Sequence, residues 1–445
     1  MPPYPLLPAD PPGRRRWGCH PFWRLCWLCC WCWSLSSEYR GACAREWPPA
    51  PGAAERPALR ASRAAASPDT TVGRRAAVAG SRGRAAAAVG TRPPTTFKLQ
   101  QQQVLFDNLR PPGIAAANVL ALTDPDVHRI DGRWTMFLGG FTTQFRVRLF
   151  TAVLPPGADL SSPQWTLVTE PGKRKRAQAL PQPVRRGDWD YAAMGSPSYA
   201  EGPLPNGDSV RRVYYTGLNK LFGPRRTYAI GVLEWNQGRW VRRPLPVLAG
   251  TGGFPHALEP TVVVAGGRWH LYFMRFAGDP ARGQAPAYEF CHTQSANGLT
   301  DWTEPQVLFG PDQFVFDNAV AARPGTYYML TAGDAATSAI PQGLWLSSGP
   351  TLPGVASAGF RTRLLDTSAP ATPAWCQRGV CGPSLVLEQA ANQPLQLQVF
   401  VTGTYGPVSW WKEALQRLRH GRLPPFPSGS FYLATARLTF TAVAP

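Results

Sequence analysis

Five short phrases hold the residues that can do chemistry: Asp124-Pro125, Ser196-Pro197, Glu259-Pro260, Asp317-Asn318 and Gly382-Pro383. Each opens a small apolar strand, and their starts lie 72, 63, 58 and 65 residues apart. If the five strands line one axis, their opening residues converge on one funnel, where three of the five bring a carboxyl. Glycoside hydrolysis needs such a set. One carboxylate activates water or attacks, one protonated acid serves the leaving oxygen, and a neighbour drives the pKa values apart. Asp124, Glu259 and Asp317 are therefore the candidate catalytic residues. Asp126 sits two residues beyond Asp124, on the same face of a regular strand, and is the substitute base. Asp126, Ser196 and His256 are the candidate substrate contacts, although a satisfied structural histidine is the better reading of both His256 and His128. Glu201-Gly202-Pro203 mimics an acid phrase but falls in a hairpin away from the axis, and Asp334 reads as a turn residue.

The elements that position these residues follow a five-fold grammar. A polar residue, usually with Pro next, opens a strand; a turn follows, and then a Tyr- or Trp-rich strand. The first copy runs from Asp124 through the turn Asp131-Gly132 to Trp134–Leu138, and the third from Glu259 through Gly266-Gly267 to Trp269–Phe273. Further strands lie between copies, such as Tyr228–Trp235, so each unit supplies about four antiparallel strands, the content of one propeller blade. The expected fold is all-β, a five-bladed β-propeller over residues 98–445 preceded by a disordered N-terminal leader. Val104-Leu105-Phe106 is expected to complete the last blade, with Gly429–Ala442 supplying its other outer strand. Helical spacing is legible only over Trp410–His420, where Trp411, Leu415 and Leu418 recur. Two β-sandwiches would also give many short strands, but they do not generate a five-fold phrase.

The body, over roughly residues 104–442, resembles the five-bladed propeller glycosidases, the superfamily of glycoside hydrolase family 43 and the invertase-type families. In family 43 the base opens blade one in an Asp-Pro phrase, as Asp124-Pro125 does. A pKa-tuning Asp opens blade three, where this chain has Glu259-Pro260. The acid Glu opens blade four, where this chain has Asp317-Asn318. The resemblance thus implies Asp124 as base, Asp317 as acid and Glu259 as modulator. It implies inverting hydrolysis of a plant- or algal-type polysaccharide or oligosaccharide, by a monomer without cofactor or metal. The Glu and Asp exchanges keep a non-catalytic glycan- or protein-binding propeller as the alternative.

Charge does not point to nucleic acid. The net charge is +19, but residues 1–97 hold fourteen Arg against five acidic residues, and the remainder is spread over the body. The basic run Lys173–Arg176 lies among prolines and reads as a solvated loop, and no zinc-finger, recognition-helix or RNA-binding sheet signature accompanies it. Six of the nine cysteines fall between Cys19 and Cys43. Cys26, Cys29, Cys30 and Cys32 have zinc-like spacing but no second ligand pair. Arg14–Arg16, the apolar stretch Leu25–Leu35 and Ala42-Cys43-Ala44 instead form a targeting pattern. Residues 1–44 are expected to be a signal-like segment and 45–97 an Ala/Arg/Pro-rich linker or transit segment. The body would then be secreted or periplasmic, or else organelle-targeted through a bipartite leader. After residue 40 no apolar run is long enough for a membrane span. Export would favour a Cys376–Cys381 disulfide and leave Cys291 as a buried thiol. No Gly-rich phosphate loop, Gly-x-Ser-x-Gly elbow or His-Glu-x-x-His motif occurs, so nucleotide, serine-esterase and zincin chemistries lack support.

Overall fold

The computed structural model describes residues 96–443 apart from 182–183, 221–225, 279–286, 314, 334–342, 353–354, 356–360, 390–392 and 420–431. Residues 1–95 of the expected leader, Asp334 and part of 429–442 lie outside the described residues, while Thr96 and Phe97 belong to the first strand. The chain enters as β1 (Thr96–Asp107) and then builds blade one from β2 (Val119–Ile130), β3 (Arg133–Thr142), β4 (Val147–Val153) and β5 (Thr166–Leu167). Blade two is β6 (Ala193–Pro203), β7 (Ser209–Leu218), β8 (Tyr228–Asn236) and β10 (Leu248–Ala249), with β9 (Arg239–Arg242) also paired to β8. Blade three is β11 (His256–Ala265), β12 (Arg268–Ala277), β13 (Ala287–Ser295) and β14 (Gln306–Phe309). Blade four is β15 (Val315–Arg323), β16 (Thr326–Gly333), β17 (Gly343–Gly349) and β18 (Thr362–Asp366). Blade five is β19 (Gly379–Glu388), β20 (Gln396–Thr404) and β21 (Leu433–Val443), with β1 as its outermost strand.

The five innermost strands form a closed cycle: β2 contacts β6, β6 contacts β11, β11 contacts β15, β15 contacts β19, and β19 returns to β2. This is the five-bladed propeller that the repeated phrase predicts. Second strands are covered on both faces by neighbouring blades, so alternation gives way to continuous burial. Met136, Phe137 and Leu138 on β3 are buried, as are Val213, Tyr214 and Tyr215 on β7 and Leu271, Tyr272 and Phe273 on β12. The hairpins use the expected tight turns. Asp131-Gly132 and Gly266-Gly267 have positive φ at both central residues, the geometry that matches strand twist in a two-residue loop.

Outside the ring, helix α1 (Trp410–Arg419) occupies the expected helical span. Its regular stripe, however, does not face the core: Trp411, Leu415 and Leu418 are 72, 55 and 56 % exposed, and the buried residues are Glu413 and Ala414. Polar contacts seat the helix instead, with Arg110 paired to Glu413 (2.9 Å) and Arg417 donating to the carbonyls of Asn108 and Leu109. The basic loop is as expected, with Lys173 and Arg176 paired to Glu170 at the surface. Among the described residues no helix is long and apolar enough to cross a membrane.

Ring closure by β1 generates a prediction. Strands from opposite ends of the chain pair over Thr96–Asp107, burying Leu105 and Phe106. A chain beginning at Gly113 exposes the β21 edge and loses this burial. It should melt at least about 10 °C below a chain beginning at Thr96, or fail to fold, in a thermal-shift assay. Equal melting temperatures would show that closure contributes little.

Candidate active site

The opening phrases are bulges, and four of the five share one backbone device. Asp124, Ser196, Glu259 and Gly382 have φ of 50°, 48°, 53° and 51°, the left-handed region, and each is followed by Pro. Ladder pairing is interrupted at the same place, between Thr123 and Asp126, Gly195 and Ser198, Leu258 and Thr261, and Cys381 and Ser384. The extra residue turns the polar side chain toward the axis, and Pro removes an N–H that the bulge would leave unpaired. Blade four differs. Its bulge falls between Val315 and Asp317, so Asp317 is back in the ladder opposite Ala332, without the left-handed φ and with Asn318 in place of Pro.

A non-glycine residue in that region costs about 1–2 kcal/mol, so something must hold it. Threonines on second strands do so. The N–H of Asp124 donates to Thr402 Oγ1 on β20, and the N–H of Glu259 donates to Thr216 Oγ1 on β7, both at 2.8 Å. In each case the next residue is a glycine against which a Trp ring lies. A Cβ at Gly217 would stand 2.1 Å from Trp189, and one at Gly403 2.2 Å from Trp375. Two residues past the bulge, side chains tie neighbouring blades. Ser384 Oγ accepts from Val127 N (3.0 Å), Asp126 Oδ2 from Tyr199 N (2.6 Å) and Ser198 Oγ from Val262 N (2.9 Å), while Thr261 Oγ1 donates to the Asn318 carbonyl (2.8 Å).

This series places Asp126. It lines the chamber, but its Oδ2 also pairs with His128 Nε2 at 2.8 Å, so one oxygen serves two partners and the residue acts as a blade tie. Ser196 lines the chamber with its Oγ 3.4 Å from Asp124 Oδ2. His256 is not among the lining residues. It is buried, its ring stacks on Phe276 (centroids 4.2 Å), and its Nδ1 accepts from Tyr228 N (3.4 Å). Glu201 stays in its hairpin, bonded by Tyr199 Oη and paired with Arg211.

Asp124, Glu259 and Asp317 all line one axial chamber of about 60 Å³, enough for a few waters. Asp124 Oδ2 accepts from Thr123 Oγ1 at 3.0 Å. Asp317 is 5 % exposed, its Oδ2 accepts from Gly382 N at 2.9 Å, and its carboxyl is hydrogen-bonded to that of Glu259. Gly382 separates the two aspartates: a Cβ there would lie 2.5 Å from Asp124 Oδ1 and 2.7 Å from Asp124 Cα. Burial, and then the charge of Asp124, push the Asp317 carboxyl up to about 7, against opposing hydrogen bonds from Gly382 and Glu259. Burial also raises Asp124, against hydrogen bonds from Thr123 and Ser196.

The expected disulfide is absent. Cys376 and Cys381 are free and buried, because they face different surroundings: Cys381 Sγ points toward Asp124 Oδ1 (3.9 Å), and Cys376 Sγ toward the Pro373 carbonyl (3.6 Å). Cys291 is a buried thiol, as expected. Sequence reasoning missed Thr216 and Thr402; the signal was the shared Thr-Gly ending of Tyr214–Gly217 and Val401–Gly403.

No protein-family model matches the sequence, and no curated protein sequence matches it. Solved structures similar to this chain include the catalytic domain of a GH62 α-L-arabinofuranosidase from Coprinopsis cinerea (TM-score 0.45, 13 % identity, 77 % of this chain and 97 % of that one). An α-L-arabinofuranosidase from Lactobacillus brevis is similar at TM-score 0.45 and 12 % identity, over 72 % of this chain and 92 % of that one. A thermostable family-43 glycoside hydrolase is similar at TM-score 0.43 and 12 % identity, over 73 % and 93 %. The likeness is one of fold.

Two predictions follow from the geometry. Gly382→Ala meets the Asp124 backbone in a left-handed conformation and cannot relax by moving a flexible side chain. It should cost about 3 kcal/mol in denaturant unfolding; a cost under 0.5 kcal/mol would refute the close approach. The second concerns pH. The native pKa of Asp317 lies above its ordinary value of 3.8, so the folded state holds extra protons between roughly pH 4 and 7 and stability falls as pH rises through that window. Asp317→Asn should melt about 3–6 °C above the parent at pH 8, with the gap closing by pH 4. A gap independent of pH would show that the carboxyl is ionised throughout.

Proposed function

We propose that the protein is a glycoside hydrolase that acts by inversion on a plant- or algal-type polysaccharide or oligosaccharide. One observation carries the reading: carboxyls from blades one, three and four meet in a single axial chamber, where burial and the charge of Asp124 push Asp317 up to about 7, with Asp124 across Gly382. Asp124 takes the proton of a water that attacks the anomeric carbon. The Glu259–Asp317 pair supplies the proton that the leaving oxygen needs. The chamber has room for that water, while the sugar ring lies at its mouth, because ligand pockets that enclose whole molecules measure about 300–1,000 Å³. The resemblance to family 43, with its arabinofuranosidases and xylosidases, makes L-arabinofuranosides and D-xylosides the first substrates to test. The proposal includes action as a monomer, secreted or periplasmic, with residues 1–44 as the targeting segment and 45–97 as the linker.

The small chamber also favours a second reading, a propeller that binds glycan or protein at this mouth without turnover. Asp124→Asn separates the two. The amide keeps the shape but cannot take the proton, so hydrolysis measured by released reducing ends should fall at least about 10³-fold while glycan binding stays within a few-fold. A parent that binds an oligosaccharide, releases no reducing ends and is matched by Asp124→Asn in every assay would establish the binding protein instead.

A further inference from the structure

We propose that Glu259, and not Asp317, is the group that delivers the proton to the leaving oxygen, with Asp317 as the positioning residue that holds it. The inference rests on the hydrolase reading and reverses the roles that the resemblance implies for blades three and four.

Four observations converge. A proton donor must touch the glycosidic oxygen, and Glu259 is partly exposed to the chamber, whereas Asp317 is 5 % exposed. Glu259 is presented by the same left-handed bulge, Pro and threonine tie as Asp124, so the two are aimed at the axis by equivalent backbones; Asp317 lacks this device. Asp317 is also engaged as an acceptor. Its Oδ2 takes the Gly382 N–H at 2.9 Å, so that oxygen is committed within the protein. Finally, the glutamate has one more methylene with which to reach outward.

In the reaction, the Glu259 carboxyl proton passes to the glycosidic oxygen as the bond from that oxygen to the anomeric carbon breaks. The water oxygen bonds to the carbon, and its proton passes to Asp124. Glu259 is left as a carboxylate and Asp124 protonated, and exchange with solvent restores both. Above the pH at which Asp317 ionises, its charge opposes a second one on Glu259 beside it. The other titratable groups lining the chamber are Asp126, paired to His128, and Tyr199, with the Cys381 thiol next to Asp124.

The test has two arms. In the kinetic arm, 2,4-dinitrophenyl and methyl glycosides of L-arabinofuranose and D-xylose are compared across the parent, Glu259→Gln and Asp317→Asn. Glu259→Gln should lose about 10³-fold on the methyl glycosides and less than about 10-fold on the dinitrophenyl ones, which need no protonation. Asp317→Asn should affect both alike and move the basic limb of the pH profile to lower pH. The opposite pattern, leaving-group dependence in Asp317→Asn and not in Glu259→Gln, overturns the assignment. The second arm needs no turnover. In full-length protein labelled with carboxyl-¹³C glutamate, the resonance that Glu259→Gln removes should titrate well above the ordinary glutamate range and fall in Asp317→Asn. A Glu259 signal titrating normally, unmoved by Asp317→Asn, overturns it. Absence of turnover by the parent counts against the hydrolase reading alone, and the titration still decides which residue carries the proton.

Discussion

Like charges in a buried chamber repel with an energy that water cannot screen, and the centre of this ring brings three carboxyls together around one glycine. That crowding sets the protonation pattern. Asp317 feels burial first and Asp124 second, and both oppose its ionisation. The Gly382 N–H and the Glu259 carboxyl work the other way, stabilising whatever charge Asp317 carries. The result is a carboxyl that gives up its proton only near pH 7. Gly382 is the narrowest point: a larger residue would push Asp124 away and weaken the coupling on which the pattern depends.

Such a centre is unfavourable to assemble, and the ring is what makes it tolerable. Three non-glycine residues sit in the left-handed region at the axis, each disfavoured in isolation. The surrounding contacts over-determine them. Thr402 holds Asp124, Thr216 holds Glu259, and side chains two residues further on bind the next blade's backbone around most of the circle. An open stack of blades could relax by sliding at one interface; a closed cycle cannot, because every inner strand has two neighbours. The last blade is closed by β1, so the geometry of the axis is linked to strand pairing at the rim.

The parts of this arrangement legible in the sequence are those with a local signature. A polar residue before Pro, a Gly turn and an aromatic strand recur because bulge, hairpin and buried second strand each demand particular residue types over a few positions. Asp124, Glu259 and Asp317 could be selected that way, and they do meet. What escaped was non-local. Thr402 and Asp124 are 278 residues apart, and nothing near either one announces the other. Spacing also misled. Cys376 and Cys381 are close enough along the chain to bridge, but the strand turns one thiol to the axis and leaves the other beside Pro373. Trp411, Leu415 and Leu418 mark the helix correctly while facing solvent, because two polar anchors seat it rather than apolar burial. His256 was attractive for its place before Glu259, yet the strand start turns it into the aromatic layer of Phe276 and Tyr228.

Blades three and four also show why residue identity and residue role need to be separated. Relative to the pattern of family 43, this chain carries the longer acid in blade three and the shorter one in blade four. Taken singly, each exchange displaces a carboxyl by about one methylene, a shift large enough to cost activity. Taken together they need not, because the backbone differs in the same sense. The blade with the longer side chain has the left-handed bulge that turns it inward, and the blade with the shorter one keeps its carboxyl in the ladder, backed against the Gly382 N–H. The pair then keeps both carboxyls at the same chamber. Both side chains line the chamber, and the Glu259 carboxyl bears on the ionisation of Asp317.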